Sequence, residues 1–483
     1  FNEVSTLASS AFKEIGVLHR ETFFSRFETL LSDPSGDDTG VAEDPGMFGE
    51  ALHNIVVDVG FADLDCAMQK LGGLLDPSML EAIRRWAATT RPINRPRWLD
   101  SRIEGELLWA SATDDGVLLI GADGPNLYGA PAALIIDLGG DDQYLDGTGS
   151  ARLSGSGNVA FPLTGAAAAI IDLGGDDHYQ SRGPVSAGGA VMGVAVLYDA
   201  EGDDIYSGQH VGQGAAILGH AALIDAGGED IYEIGSVGQG AALAGSGSAF
   251  DLAGNDHWNA ALIAQGSGGP LGTGILFDAR GDDVFRAGGR YPSSYGTPGI
   301  FEALAQGSGW GIRPDLAGGV GVLRDGGGRD AYFGGNFSQG TGYFLGTGIL
   351  MDQGGDDSYT GSRYTQGSAA HLAAGLLLDS GEGDDRYHGS VAANQGAGWD
   401  LAVGTLVDAG GNDIYSGADF AQGSGAQNGI GVFFDGGGSD RHEAGGNAMG
   451  FSGLLTYGEG RGTGNLGIFA DRGLEDAPPS ARI

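Results

Sequence analysis

Short runs in which large apolar residues alternate with small or polar ones recur along most of this chain, and each run ends in the same acidic turn. The copy at residues 408 to 415 reads DAGGNDIY, and its relatives begin at Asp137, Asp172, Asp199, Asp225, Asp251, Asp278, Asp325, Asp352, Asp379, Asp435 and, in worn form, Asp471. Of the eleven intervals between these twelve first aspartates, five are 27 residues and two are 26; the others are 29, 35, 36 and 47. A fixed period of a few tens of residues is the mark of a solenoid, propeller or array. Two residues before the first Asp stands a large apolar side chain such as Ile135, Leu197, Leu223, Leu276, Leu350 or Phe433, while the residue directly before it varies freely. Alternate residues of a strand face opposite sides, so the first of these positions points into a core and the second points out. The glycines that follow predict a turn in which positive φ is cheap.

A second Asp comes next, then, two residues on, a mostly aromatic position. About a dozen residues before most copies lies Gln-Gly, at Gln213, Gln239, Gln265, Gln306, Gln339, Gln366, Gln395 and Gln422. Each unit is therefore expected to be a strand, a Gly/Asp turn, a short aromatic strand and a small-residue Gln-Gly strand. Three short strands in so few residues suit one coil of a parallel β-helix. A propeller blade needs about 40 residues, and 95 glycines in 483 residues leave no room for the helix of a leucine-rich repeat. The expected fold is mostly β: a parallel β-helix or solenoid of about twelve coils over residues 104 to 483, behind an N-terminal α-helical domain over 1 to 103. Like residues then stack in rows, with the Gln amides hydrogen-bonding up their own row as in cross-β stacks.

The aspartates carry the chemistry. Unit charges one strand spacing apart, about 4.8 Å, repel by roughly 0.9 kcal/mol even in water and by more when buried. Rows of Asp call for protons, arginines or cations. The candidate metal ligands are the paired carboxylates Asp137 and Asp142, Asp172 and Asp177, Asp199 and Asp204, Asp225 and Asp230, and Asp251 and Asp256. They continue as Asp278 and Asp283, Asp352 and Asp357, Asp379 and Asp385, and Asp408 and Asp413. Asp330 has Arg329 beside it, which disfavours a cation there. In the copy at 408, Gly411, Asn412, Asp413, Ile414 and Tyr415 match the second half of the nonapeptide G-G-x-G-x-D-x-U-x, and the chain here resembles the calcium-binding repeats of RTX (repeats-in-toxin) proteins. The resemblance implies calcium as cofactor, with Asp413 giving a carboxylate and Gly411 a backbone carbonyl, and Tyr415 in the core. Gly140 with Asp142, Gly175 with Asp177, Gly202 with Asp204, Gly254 with Asp256, Gly281 with Asp283 and Gly355 with Asp357 carry over likewise. The other reading of the same residues is metal-free: each first Asp accepts hydrogen bonds from the glycine amides that follow it.

Before the repeats, Val4, Leu7, Phe12, Ile15, Leu18, Phe24, Phe27 and Leu31 recur with helical spacing. A second helix is expected over Phe48 to Leu75 with breaks at Gly60 and Gly72. A third is expected from Asp76 as N-cap and Pro77 in its first turn to about Ala88. The helices would cover the open edge of the first coil or dock a partner. Arg84, Arg85, Arg91, Arg95, Arg97 and Arg102 form a basic cluster that pairs with the chain's own acidic coils or with an acidic partner. Insertions interrupt the period near 145 to 160 and 286 to 316. The second offers Arg286, Arg290, Tyr291, Tyr295, Trp310 and Arg313, a set suited to a sugar or carboxylate ligand, or else an excursion over the surface.

A formal charge of −39 and a pI near 4.2 exclude nucleic acid and anionic membrane surfaces as partners. Cys66 is the one cysteine, so the chain forms no internal disulfide. No apolar run is long enough to span a bilayer, and a start at Phe1 suggests a piece of a longer precursor. G-x-S-x-G, H-E-x-x-H and Walker A sequences are absent, and GTGNLG at 462 to 467 matches the dinucleotide fingerprint by letter only. A catalytic carboxylate pair is singular, whereas these pairs recur coil after coil. The expectation is an exported, calcium-stabilised structural, scaffold or adhesive module, extracellular or at the cell surface, with the periplasm as the other compartment. Its partners would be other proteins or copies of itself. The alternative is a polysaccharide-lyase-like β-helix enzyme working on polysaccharide through the insertion at 286 to 316.

Overall fold

The computed structural model describes residues 1–16, 19–20, 22–23, 46–114, 116–145, 148–152, 165–452 and 465–472. The chain is mostly β, a parallel β-solenoid of about 10 turns of ~27 residues with a few helices near its N-terminus. It divides into two compact units, one of Phe1–Pro34 with Gly46–Gly254 and one of Ser35–Pro45 with Asn255–Ile483. The insertion expected near 145 to 160 lies largely outside the described residues, as do Leu18, Phe24, Phe27 and Leu31 of the first helix and the first half of GTGNLG.

In the first unit a turn runs from the strand Val194–Asp199 through Ile205–Gly212 to the two-residue strand Ala216–Ile217. In the second unit the same path is Thr347–Asp352, Ser358–Gly361 and Ala369–Ala370. Turns pair in parallel with like residues opposite: Leu197 with Leu223 and Asp199 with Asp225, Tyr206 with Tyr232, Leu350 with Leu377 and Asp352 with Asp379. Burial alternates along Thr347–Asp352, so Gly348, Leu350 and Asp352 face inward. In most turns the first Asp is thus the last inward residue of a strand, where the sequence had placed it in the turn; Asp137, Asp172 and Asp325 directly follow theirs. Period 2 requires this, since Asp352 lies two residues beyond Leu350.

Leu350, Leu377, Leu406 and Phe433 make one fully buried row. Beside it the rings of Tyr332, Tyr359, Tyr387 and Tyr415 stack with centroids 4.8, 4.8 and 4.9 Å apart. In the first unit Tyr128, Tyr144, Tyr179, Tyr206 and Tyr232 stack at 5.0, 4.6, 4.7 and 4.7 Å. Those spacings equal the distance between strands, so the sheet register alone brings the rings into van der Waals contact.

The Gln-Gly pair is a corner and not a strand. Gln366 has φ 55° and Gly367 φ 71°. Two successive left-handed residues bend the chain sharply, and a Cβ on Gly367 would stand 2.0 Å from the carbonyl oxygen of Thr405. The Oε1 atoms of Gln213, Gln265, Gln306, Gln339, Gln366, Gln395 and Gln422 accept no hydrogen bond, so these side chains do not bond one another. Gln366 Nε2 donates to Tyr359 O of its own turn at 3.0 Å and to His388 O of the next at 3.1 Å. Gln213, Gln265, Gln306, Gln339 and Gln395 repeat this double bond. Each amide ties two turns together by donating to a strand carbonyl of each.

The described helices are α1 (Asn2–Ser10), α2 (Gly46–Val56), α3 (Phe61–Gly72) and α4 (Pro77–Ala87). The breaks fall near Gly60 and Gly72, and Asp76 caps α4 by accepting from Ser78 N at 2.8 Å. The described helices pack on an outer face of the sheet. Leu74, Leu75, Leu80 and Ile83 lie on the outward residues Ile136, Ile171 and Leu173, and Asp65 of α3 meets His220 at 3.0 Å. An antiparallel hairpin, Leu107–Thr113 with Gly116–Gly121, borders the first parallel strand Leu134–Ile136. The apolar stripe of the helices is matched by the apolar outer face of the strands, which an edge of bare N–H and C=O groups would not match. Part of the basic cluster folds onto its own chain: Arg102 pairs with Asp100 at 2.9 Å and Arg85 with Glu81 at 3.2 Å. Arg95 donates to the carbonyls of Ile103 and Asp100.

Candidate metal centre

Three rows of carboxylates run through the turns. The innermost is made of the first aspartates. In the first unit Asp225 accepts from Gly227 N on Oδ1 at 3.0 Å and from the Tyr206 hydroxyl of the preceding turn on Oδ2 at 2.6 Å. In the second unit Asp352 accepts from Gly354 N at 2.9 Å and from Tyr332 at 2.7 Å. The amide bond is the turn expected of the metal-free reading; the hydroxyl bond was not foreseen.

The second aspartates bond along the solenoid. Asp177 N donates to Asp204 Oδ1 at 2.7 Å and Asp204 N to Asp230 Oδ1 at 2.6 Å. In the second unit Asp330 N donates to Asp357 Oδ1, Asp357 N to Asp385 Oδ1 and Asp385 N to Asp413 Oδ1, each at 2.7 Å. Oδ1 is thereby occupied, while the Oδ2 atoms of Asp142, Asp177, Asp283, Asp330, Asp357 and Asp385 are buried with no hydrogen-bond partner. An outer row, Asp141, Asp176 and Asp203 in the first unit and Asp356 and Asp384 in the second, is exposed and accepts from the backbone of the following turn.

The glycine two residues before the second Asp lets these rows approach. A Cβ on Gly355 would stand 1.4 Å from Gly328 O, and one on Gly438 1.3 Å from Gly411 O. Only a bare Cα fits, and the carbonyls that the RTX resemblance would offer to calcium lie against the next glycine.

All eighteen candidate ligands are at most 1 % exposed. Burial pushes several of these carboxyls up, and neighbouring carboxylates push further, to about 10 at Asp142, about 11 at Asp204, about 9 at Asp385 and about 8 at Asp357 and Asp413. Asp177 and Asp283 rise less, to about 7 and about 6, because burial is offset first by the backbone N–H donated to each. Among first aspartates Asp199 rises to about 8 and Asp379 and Asp435 to about 7, from burial above all.

Carboxylate oxygens of Asp137, Asp142 and Asp172 lie within 4.8 Å of one another, as do those of Asp172, Asp177 and Asp199, and of Asp204, Asp225 and Asp230. In the second unit Asp256, Asp278 and Asp283 do the same. Oxygens across a calcium ion, each bound at 2.3–2.6 Å, stand about 4.6–5.2 Å apart, so these sets have the reach to hold one cation. Each combines both aspartates of one turn with one from a neighbour. Orphaned Oδ2 atoms supply unused lone pairs, and the buried clusters can therefore bind a metal ion.

The residues of the 286 to 316 insertion are not presented as one surface. Arg286 stacks over Phe333 at 4.3 Å and Arg290 over Tyr291 at 5.3 Å, while Arg363 covers Tyr295 at 4.4 Å. Trp310 is 1 % exposed and donates Nε1 to Ser267 Oγ at 3.1 Å, so it is a core residue and cannot stack on a ligand. Tyr291 is buried as well. Arg313 approaches His371, whose other ring nitrogen meets Asp400 at 2.7 Å. Glu302 anchors the excursion by accepting from Ser294 N at 2.6 Å and its hydroxyl at 2.8 Å.

Sequence reasoning missed the tyrosines as partners of the aspartates. The available signal was that the aromatic after the second Asp is usually Tyr and seldom Phe. It also set aside Asp330 because of Arg329. That guanidinium is turned outward and pairs with Asp282 at 3.2 Å.

No family model matches the chain, nor does any curated protein or any solved structure. Fold and site define a class: a parallel β-solenoid with rows of buried carboxylates along its interior.

Proposed function

We propose that the chain is a calcium-stabilised structural solenoid, exported and working as a scaffold or adhesive module toward other proteins or further copies of itself. The observation that carries the reading is the recurrence of one buried three-carboxylate cluster from turn to turn. Each turn brings two interior aspartates, and one divalent cation per turn balances their charge. In the first unit Asp137, Asp142 and Asp172 would hold one such ion and Asp204, Asp225 and Asp230 another; in the second Asp256, Asp278 and Asp283 would do so. Carboxylate oxygens are hard ligands, which favours calcium over softer metals. When bound, the ion supplies no reaction; it neutralises the rows and ties consecutive turns together.

No observation favours the lyase reading, since the insertion's arginines and tyrosines are each engaged with neighbours of their own. The test is metal content and melting. Purified protein dialysed against micromolar calcium should retain ions in a ratio of about one per turn, on the order of ten per chain. A hundredfold excess of calcium over Kd adds about 2.7 kcal/mol for each site, so chelation should lower the Tm strongly and sodium at equal ionic strength should not restore it. An unchanged melting curve in chelator refutes the reading and leaves protons as the neutralising charge.

A further inference from the structure

One turn breaks the pairing of hydroxyl with aspartate. In the first unit Tyr128, Tyr144, Tyr179, Tyr206 and Tyr232 each donate to the first Asp of the following turn. In the second unit Trp258 Nε1, Tyr332, Tyr359, Tyr387, Tyr415 and His442 have the same task. The exception among the described residues is Phe285. Its ring keeps the stack, 4.9 Å from Tyr332 and nearly parallel to it, but it has no hydroxyl. The first Asp it faces by register, Asp325, is fully buried, and its Oδ2 has no hydrogen-bond partner. Asp330 Oδ2 in the same turn is likewise buried and unpartnered. Asp330 Oδ1 accepts Asp283 N at 2.7 Å, which gives Asp283, Asp325 and Asp330 the relation that Asp204, Asp225 and Asp230 have in the first unit.

Elsewhere the ring donor already bonds the Oδ2 atom and takes up one of the lone pairs that an incoming ion would use. At Asp325 nothing shares them. Hydrogen bonds to charged groups are among the stronger ones, so their absence leaves this carboxylate with the greatest unmet demand for a cation. Arg329, the neighbour that would repel one, is exposed and bound to Asp282.

We propose that the Asp283, Asp325 and Asp330 cluster, left open by Phe285, is the tightest divalent-cation site of the chain and fills first. This rests on the calcium reading above and adds which site leads and why. Phe285→Tyr is a mild change, since tyrosine occupies the same place in the stack in most turns and its hydroxyl would reach Asp325 as Tyr332 reaches Asp352. Tyr179→Phe is the reciprocal variant, freeing Asp199 from the donor it has at 2.5 Å.

The experiment titrates metal-free full-length protein with calcium against a chromophoric chelator. The parent should show one ion bound at least about tenfold more tightly than the rest, a ratio equal to about 1.4 kcal/mol. Phe285→Tyr should remove that tight ion without changing the total, and Tyr179→Phe should create a second one. Calcium binding by the parent with identical titrations in both variants overturns this inference and leaves the calcium reading intact. No calcium bound by the parent overturns both. A folded Phe285→Tyr protein, judged by unchanged circular dichroism, makes either result decisive.

Discussion

Removing metal should give this protein an inverted response to acid. Asp142, Asp204 and Asp330 are at most 2 % exposed, and burial with neighbouring carboxylates raises them to about 10, about 11 and about 10. Without metal, each therefore holds a proton in the folded chain throughout the neutral range and loses it on unfolding, where an Asp has a pKa near 3.9. The folded state then binds more protons than the unfolded one. The stability these groups provide is complete below about pH 4 and is lost as pH rises toward their folded values. Each contributes a slope of about 1.4 kcal/mol per pH unit, so the three together give about 4 kcal/mol per unit between pH 5 and pH 8. Thermal melts followed by circular dichroism in excess chelator should show Tm falling steadily across that interval. Saturating calcium should reverse the slope, because the ion binds deprotonated carboxylates and must displace the protons. Calorimetric titrations in buffers of different ionisation enthalpy should then register proton release at pH 7. A metal-free Tm that climbs from pH 5 to pH 8, as it does in proteins stabilised by paired carboxylates, would refute the reasoning and mean that the aspartates are ionised in the fold.

Two further substitutions test the packing that brings the rows together. Gly355→Ala puts a methyl 1.4 Å from Gly328 O, where the turns must part by about 2 Å to reach ordinary contact, and should cost more than about 4 kcal/mol in urea unfolding. Gly289→Ala, at φ 81° with nothing within 4 Å, should cost only about 1–2 kcal/mol. Gln366→Met leaves the carbonyls of Tyr359 and His388 without their donor and should cost about 2–5 kcal/mol by the same measurement, without altering calcium stoichiometry.

Much of this was legible in the sequence because a repeat fixes register. Once Leu350 and Leu377 are known to be equivalent, so are Asp352 and Asp379, and the inward direction of Leu350 settles that of the aspartate two residues on. The inference stopped one step short there, because an acidic residue followed by glycines also reads as the start of an exposed turn. The Gln row was found, but not its bonding. Stacked amides suggest an amide ladder, whereas at the left-handed corner Gln366 Nε2 donates to strand carbonyls of two successive turns. Periodicity does not report φ, and so Gln-Gly looked like a strand. The helical boundaries at Gly60, Gly72 and Asp76 were readable from local chemistry. The surface those helices cover was not, since it depends on which outward residues of the strands are apolar. Trp310 misled because a large aromatic in an irregular stretch has the same composition whether it meets a ligand or the core.

Three of the rows of hydrogen bonds between turns, those of the second aspartates, the tyrosines and the glutamines, point from a donor to an acceptor later in the sequence. In the second unit Asp357 N waits for the carboxylate of Asp385, Tyr359 for Asp379, and Gln366 for the carbonyl of His388. Each of these acceptors lies some twenty residues or more later in the chain. A ribosome delivers residues in that order, so a turn leaving it is a template whose donors are satisfied only when the next turn has been made. The nascent chain thus carries one unfinished surface at a time, at its growing end, and every completed turn prepares the site on which its successor closes.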